Sequence, residues 1–259
     1  MEQLLPIHGG YNFRELGGYP TLKGKKIKAQ RIIRSAALDQ LTTADVTFLQ
    51  NYGVQQVIDF RTTEERLQQP DKIIPQAEYL HLPVFKEDET QSTISPTALF
   101  EKILAGESGD ARMKKSYQDF VVTPDAQRAY QKFFQQLLTQ KGGLLFHCTA
   151  GKDRTGFGAY LFLNALEVPS EIIWQDYLKT NDASAQAVQK MLASAKEQGA
   201  PEILLTNIEA LMVARKEYLT SAITAIHENF GDTANFLKNG LHLAPSDLAQ
   251  LQAEYLEEA

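Results

Sequence analysis

The 259-residue sequence contains one cysteine, one tryptophan and no long apolar run. A single cysteine excludes a disulfide within the chain and makes a zinc site built from thiolates implausible, so we expect neither metal nor another cofactor. No run of apolar residues approaches the length of a bilayer span, which excludes an integral membrane segment. The first six residues lack the basic start and apolar stretch of a secretory signal, so a cytoplasmic location is expected. A signal removed beforehand would leave export open.

Basic residues are outnumbered by acidic ones, 26 to 32. The net charge is −6 at pH 7, which argues against a general nucleic-acid binder. Any attraction for an anionic substrate must therefore be local to one part of the chain. An apolar content of 43% is ample for a packed core, and the length is compatible with one large α/β domain over residues 1–259.

One stretch concentrates chemistry that the rest of the chain lacks. A glycine-bounded apolar run over residues 142–147 predicts a buried strand, and residues 158–166 predict a helix. The turn between them carries Cys148 and, six positions later, Arg154. Small residues entering a helix N-terminus point several backbone N–H groups into one concavity, where an oxyanion is favoured. The sequence therefore predicts a phosphate-handling site.

Each residue of this turn has a predicted task. Arg154 can place a two-pronged guanidinium on two phosphate oxygens, and the positive field favours the thiolate of Cys148, which becomes the nucleophile that forms a phosphocysteine. Thr155 can donate a hydrogen bond to the sulfur. The remaining loop residues are expected to bind the substrate phosphate, and they are Thr149, Ala150, Gly151 and Lys152.

Two other interpretations of the turn compete. A lone cysteine is more commonly a small buried apolar residue. A nucleotide-binding loop would need Ser or Thr after Gly151-Lys152, but Asp153 follows, and Phe146 stands where the first glycine of that motif belongs.

The full string His147-Cys148-x-x-Gly151-x-x-Arg154-Thr155-Gly156 resembles the signature of the cysteine-based protein tyrosine phosphatase superfamily. The Lys-Asp form of the loop, with the segments at residues 12–19 and 58–61, is similar to the bacterial tyrosine/serine phosphatases of the IphP type. The similarity extends from about Asn12 to the C-terminal helix. It implies a central, mostly parallel sheet flanked by helices, and hydrolysis of protein phosphotyrosine with phosphoserine or phosphothreonine as further substrates.

Two more residues are expected near the loop. Asp59 and Arg61 end a predicted strand over residues 54–60, and the carboxyl ends of parallel strands meet at one edge of a sheet. We assign them to substrate binding, with a structural ion pair as the alternative. Arg14 matches the family, but the glycine pair after it shows a backbone requirement as much as a chemical one.

The general acid that protonates the leaving group is expected to be Asp153. A bound phosphate would favour its protonated form, and the resemblance to phosphatases with aspartate directly before the arginine implies the same assignment. Asp119 and Asp125 are the alternatives, because many relatives supply the acid from a separate movable loop.

Outside the motif, the long polar stretch over residues 86–122 is a candidate helical lid, with an ungated surface excursion as the alternative. Helices are predicted over residues 171–179 and 183–196, and those from residue 183 onward are interpreted as scaffold. A last helix is predicted from Ser246 to about Glu258.

Three further functions compete with protein phosphatase activity. A phosphoinositide or inositol-phosphate phosphatase is suggested by Lys152, because an additional cation suits a multiply phosphorylated headgroup. A non-catalytic phosphate-binding module is disfavoured, since the cysteine, arginine and threonine of the motif are all present. An enzyme of sulfur or arsenate chemistry would share the loop but would not require the other family segments.

Overall fold

The computed structural model describes residues 3–88, 90, 94–139 and 142–259. The strands are β1 Arg14–Glu15, β2 Lys25–Ile27, β3 Ile32–Ser35, β4 Val54–Asp59, β5 Glu78–His81, β6 Gly143–His147 and β7 Leu256–Glu258. The helices are α1 Thr43–Tyr52, α2 Thr63–Gln68, α3 Pro96–Leu104, α4 Gly109–Val122, α5 Pro124–Thr139, α6 Arg154–Ala165, α7 Ser170–Glu197, α8 Glu202–Met212, α9 Lys216–Phe230, α10 Thr233–Asn235 and α11 Pro245–Tyr255. A π-helical turn, Phe236–Gly240, follows α10.

The main sheet has the strand order β1-β3-β6-β4-β5. β3, β6, β4 and β5 run parallel, while β1 pairs with β3 in the antiparallel sense. The register places Ser35 and Asp59 on either side of His147, at the carboxyl end of β6. The mostly parallel sheet flanked by helices is therefore confirmed, and residue 148 leaves the sheet at the edge where parallel strands present their functional side chains.

The central strands bury both faces of the sheet, because successive side chains point to opposite sides. In β6, Leu144 and Phe146 join a large core cluster with α5 and α6, whereas Leu145 joins a smaller one with the buried side of α1. This continuous apolar strand fixes the position of the residue that follows it.

A second, two-stranded sheet pairs β2 with β7. The predicted last helix is wrong at its C-terminal end, since α11 ends at Tyr255 and residues 256–258 form a strand. Local propensity continued the helix, but the antiparallel partner Lys25–Ile27 overrides it. A tertiary contact decides the structure here.

The predicted break between the helices at 171–179 and 183–196 is also wrong, because α7 is continuous. Thr180 and Asn181, which lie at the predicted break, are poor helix formers. In the structure the Thr180 hydroxyl accepts a hydrogen bond from Arg14, and Asn181 exchanges hydrogen bonds with the backbone of Ala214. These partners offset the low propensity.

The candidate lid divides into two parts. Residues 89 and 91–93 of it lie outside the described residues. Its first helical part is α3, Pro96–Leu104. α4, however, belongs to the core: Met113, Tyr117, Phe120 and Val121 are fully buried. A 14-residue amphipathic helix was hidden by its polar outer face, so residues 109–122 are no surface excursion. Lid motion stays a prediction for the part before α4.

Within the described residues, no helix is both long and apolar enough to cross a membrane. The single domain and the cytoplasmic location stay predictions.

Candidate active site

Residues 148–153 form the turn between β6 and α6. Gly151 has a φ of 65°, and a Cβ on this residue would lie 2.3 Å from the carbonyl oxygen of Ser35. The glycine is therefore required both for the left-handed backbone and for the close approach to β3. The turn is held tightly against the sheet.

The carbonyl groups of the turn are bound from behind. Nδ2 of Asn12 donates to the carbonyl oxygens of Gly151 at 3.0 Å and Ala150 at 3.2 Å, and Arg34 donates to Gly151 at 2.9 Å. The Ala37 amide donates to the carbonyl of Thr149 at 3.0 Å. Among the described residues, no acceptor takes the backbone N–H groups of residues 149–152. With the carbonyls held at the back, these donors are available to an oxyanion.

Asp176 of α7 holds this rear support together. Its carboxylate accepts from Arg34 at 2.5 Å, from Arg14 at 2.8 Å and from the hydroxyl of Tyr19 at 3.1 Å. Burial opposes its ionisation, but the two arginines prevail and lower the pKa of Asp176. The family segment at residues 12–19 therefore supports the turn, and Arg14 has a structural task.

Arg154, the first residue of α6, has a fully buried side chain. Its two terminal nitrogens bind both carboxylate oxygens of Glu65, at 2.6 and 2.8 Å. Glu65 also accepts from the hydroxyl of Thr149 and from the amide of Thr62. Burial works against the carboxylate, yet Arg154 and these donors lower the pKa of Glu65 to about 2. The carboxylate is therefore ionised at neutral pH and fixes the plane of the guanidinium.

Glu65 is the functional residue that the sequence reasoning missed. The sequence pattern assigns it no role in the site. It occupies the third position of α2 in a capping box with Thr62, and this Thr-x-x-Glu pattern two residues after a strand was the available signal. The capping pattern predicts the helix start, but not that the same carboxylate reaches the arginine of another loop.

Asp153 lies in a buried polar network. Its Oδ1 accepts from the hydroxyl of Tyr117 at 2.9 Å and lies 2.8 Å from the ammonium of Lys152. That ammonium also donates to the carbonyl of Val213 at 3.3 Å and sits 5.7 Å from the ring centre of Tyr218. Lys152 is thus directed into the protein, so a contact with a second phosphate would require it to leave these partners. That contact stays a prediction.

The two alternative acids lie elsewhere. Asp119 is two residues, or about 200° of helical rotation, from Tyr117 on α4, and it pairs with the exposed Lys115. Asp125 pairs with Arg128 and lies 3.4 Å from Lys86. Neither lines the cavity above the turn, which Asp153 does.

Asp59 and Arg61 are fully buried and form an ion pair with 2.9 to 3.2 Å contacts. Arg61 also binds Asp71 at 2.7 Å, and His147 lies 3.1 Å from the same carboxylate. This arrangement fits the alternative of a structural ion pair, while direct binding of substrate stays a prediction. Asp59, Asp71 and His147 are close enough for a metal site, but Arg61 already occupies both carboxylates.

The remaining predicted residues lie in the turn or at its end. Cys148 is only 2% exposed, at the base of the turn. The hydroxyl of Thr155 is buried and has no hydrogen-bond partner within the described part of the chain, so its bond to the sulfur stays a prediction.

A cavity of about 450 Å³ opens above the turn and is lined by Thr149, Ala150, Lys152 and Asp153. Its walls also include Tyr11 and, from the helices α7 and α8, Met191, Leu211 and Met212. The helices after residue 183, interpreted from the sequence as scaffold, thus also supply these three side chains to the cavity wall. Burial, with the charges of Cys148 and Asp39 adding to it, raises the pKa of Tyr11 to about 12. The Tyr11 hydroxyl is therefore neutral at pH 7.

Several known proteins resemble the chain. A protein of Cupriavidus necator that carries the provisional name of tyrosine-protein phosphatase is 33% identical over 95% of this chain and 85% of its own. The triple specificity protein phosphatase PtpB of Mycobacterium tuberculosis is 27% identical over 90% of this chain and 92% of its own. The crystal structure of TpbA from P. aeruginosa covers 73% of this chain and 90% of its own, with 16% identity and a TM-score of 0.35, an overlap too low to argue from.

Residues 5–257 match the sequence model of the tyrosine phosphatase family. This match takes in the turn with Cys148 and Arg154, the rear support at residues 12–19, and the helices that line the cavity. The chain belongs to the tyrosine phosphatase family.

Proposed function

We propose that the protein hydrolyses protein phosphotyrosine through a phosphocysteine at Cys148. The observation that carries this proposal is the turn itself. Its backbone N–H groups at residues 149–152 have no acceptor among the described residues, and they lie between a cysteine and an arginine held by Glu65. Such a cradle stabilises the charge that develops on the transferring phosphoryl oxygens.

The reaction has two steps. The sulfur of Cys148 attacks phosphorus, the bond from phosphorus to the ester oxygen breaks, and Asp153 gives its proton to that oxygen. Water then attacks the phosphocysteine, Asp153 takes a proton from the water, and the thiolate leaves with inorganic phosphate released. Arg154 and the amide groups bind the phosphoryl oxygens in both steps, and Thr155 donates to the leaving sulfur.

The walls of the cavity favour an aromatic ester. Tyr11, Leu211 and Met212 contribute aromatic and apolar surface to the cavity wall, which suits the ring of phosphotyrosine. The M. tuberculosis relative is named a triple specificity protein phosphatase, which supports a substrate range wider than phosphotyrosine alone. The phosphoinositide alternative depends on Lys152, whose ammonium is bound inside the protein.

A substrate panel tests the proposal. Matched peptides with phosphotyrosine, phosphoserine or phosphothreonine, and phosphoinositides in mixed micelles, are compared by kcat/KM with and without a chelator. We expect phosphotyrosine to be hydrolysed best and the chelator to have no effect. A preference for phosphoinositides would contradict phosphotyrosine as the substrate. Loss of activity with the chelator would contradict a mechanism that depends on Cys148 without a metal.

A further inference from the structure

A second cavity, of about 550 Å³, lies beside α2 and does not share a lining residue with the cavity above the catalytic turn. Arg66 and Leu67 line this second cavity, whereas Gln68 and Gln69 line the catalytic one. The end of α2 therefore separates the two. The volume lies in the range of about 300 to 1,000 Å³ that is typical of small-molecule sites.

The second cavity is mainly apolar. Its buried part contains Leu38, Val57 and Ile74. Its outer part contains Leu67 and Ile73, which are 70% and 84% exposed. Two large aliphatic side chains so exposed at the mouth of an apolar cavity favour a ligand that removes them from water.

The unpaired charges at this cavity are positive. Arg66 and Lys72 line it, and neither makes an ion pair within the described ranges. The Nε of Arg66 is buried and has no hydrogen-bond acceptor there, although an unsatisfied buried donor is costly. Asp71 also lines the cavity, but its carboxylate is already paired with Arg61 and lies 3.1 Å from His147. It therefore does not neutralise Arg66 or Lys72.

We propose that this cavity binds a free long-chain carboxylate. The acyl chain covers Leu67 and Ile73 and enters toward Ile74, and the carboxylate accepts from Arg66. A single anionic head on an apolar chain matches the cationic side chains of Arg66 and Lys72, which form no ion pair among the described residues beside this apolar cavity. A bound peptide would bring many backbone polar groups, for which this lining offers few partners.

The first experiment compares two amphiphiles of equal chain length and opposite charge. Dodecanoate and dodecylamine are titrated into the full chain below their micelle concentrations and followed by calorimetry. We expect one saturable site for dodecanoate and at least about tenfold weaker binding of dodecylamine, because a charge-assisted hydrogen bond contributes this much. The net charge of −6 would favour the amine, so this preference must come from the site.

Two substitutions locate the site. Ile73→Asp and Arg66→Gln should each weaken dodecanoate binding by about tenfold or more, since they remove apolar contact and the donor respectively. Leu104→Asp is the matched control for the first, because Leu104 is 73% exposed on α3 and does not line the cavity. It should leave the binding unchanged.

Saturating inorganic phosphate is added as a competitor to keep the two cavities apart. Unchanged dodecanoate affinity supports the proposal, whereas displacement would assign the binding to the catalytic turn and overturn it. Equal affinity for both amphiphiles, no saturable binding, or an equal loss in Leu104→Asp and Ile73→Asp would each overturn it as well.

Discussion

Arg154 and Arg34 are both fully buried, both paired with a carboxylate, and both in contact with the same six-residue turn. Arg34 binds the carbonyl of Gly151, at the back of the turn. Arg154 lies 3.4 Å from the hydroxyl of Thr149, a residue that lines the cavity above the turn. Burial and pairing therefore do not distinguish the two.

The difference lies in the side of the turn on which each arginine acts. An arginine that binds carbonyl oxygens fixes the backbone and directs the opposite N–H groups outward. An arginine on the cavity side adds its own donors to theirs. The carboxylate partner follows the same division, since Asp176 binds two arginines of the rear support, whereas the arginine that Glu65 binds is Arg154. Substitutions on the two sides should accordingly damage different properties.

The largest effect is expected on the cavity side, from Cys148→Ser. Turnover of a phosphotyrosine peptide should fall by at least about 10³-fold, because the nucleophile is lost, while the peptide still binds, because the N–H cradle remains. Rates are measured at saturating substrate, and affinity by calorimetry. Residual activity within tenfold of the unchanged protein would remove Cys148 from the mechanism.

On the rear side, Asp176→Asn should lower the free energy of unfolding by about 3 to 5 kcal/mol, the cost of removing one partner from a buried ion pair. Urea unfolding at pH 7 measures it. Asp182→Asn, an exposed position on the same helix, is the control and should change stability by less than about 0.5 kcal/mol. A similar small change in Asp176→Asn would show that Arg14 and Arg34 do not depend on this carboxylate.

The two sides also differ in how far the sequence predicts them. The turn could be predicted because its parts are contiguous: a buried strand, a glycine that must adopt positive φ, a cysteine and an arginine six residues apart. The rear support was visible only as a family segment around Asn12 to Tyr19. Its physical task depends on Asp176, which is 162 residues from Arg14 in the chain.

Glu65 and the cavity walls were missed for the same reason. Nothing local to α2 indicates that Glu65 reaches an arginine 89 residues later. Met191 and Met212 lie in helices that the sequence pattern indicates only as scaffold. The packing of α7 and α8 brings these two side chains to the cavity. The polar face of α4 likewise concealed Tyr117, which contacts Asp153.

Asp153→Asn examines the chemistry on the cavity side. With alkyl phosphates, whose leaving groups need a proton, kcat should fall by about 10² to 10⁴-fold, and with an activated aryl phosphate it should change little. Asp119→Asn and Asp125→Asn are controls that should leave both rates near those of the unchanged protein. A uniform loss in Asp153→Asn would indicate a structural task in the network with Tyr117 and Lys152.

Glu65→Gln tests whether the cavity-side carboxylate only positions Arg154. The amide keeps the shape and one acceptor but removes the charge, so the guanidinium is less firmly oriented. We expect kcat/KM for a phosphotyrosine peptide to fall by about tenfold to a hundredfold, the cost of a charge-assisted hydrogen bond, and inorganic phosphate to inhibit more weakly.

The acid dependence of stability gives this last variant a readout independent of activity. The pKa of Glu65 is lowered from its ordinary 4.5 to about 2 in the folded protein. A carboxyl lowered in this way contributes stability that is fully present above pH 4.5 and is lost as the pH falls toward 2. Glu65→Gln should therefore destabilise the protein at pH 7 and lose stability less steeply between pH 4.5 and pH 2. Glu64→Gln, its exposed neighbour on α2, should leave both the activity and this slope unchanged, and an equal effect of the two substitutions would remove Glu65 from the site.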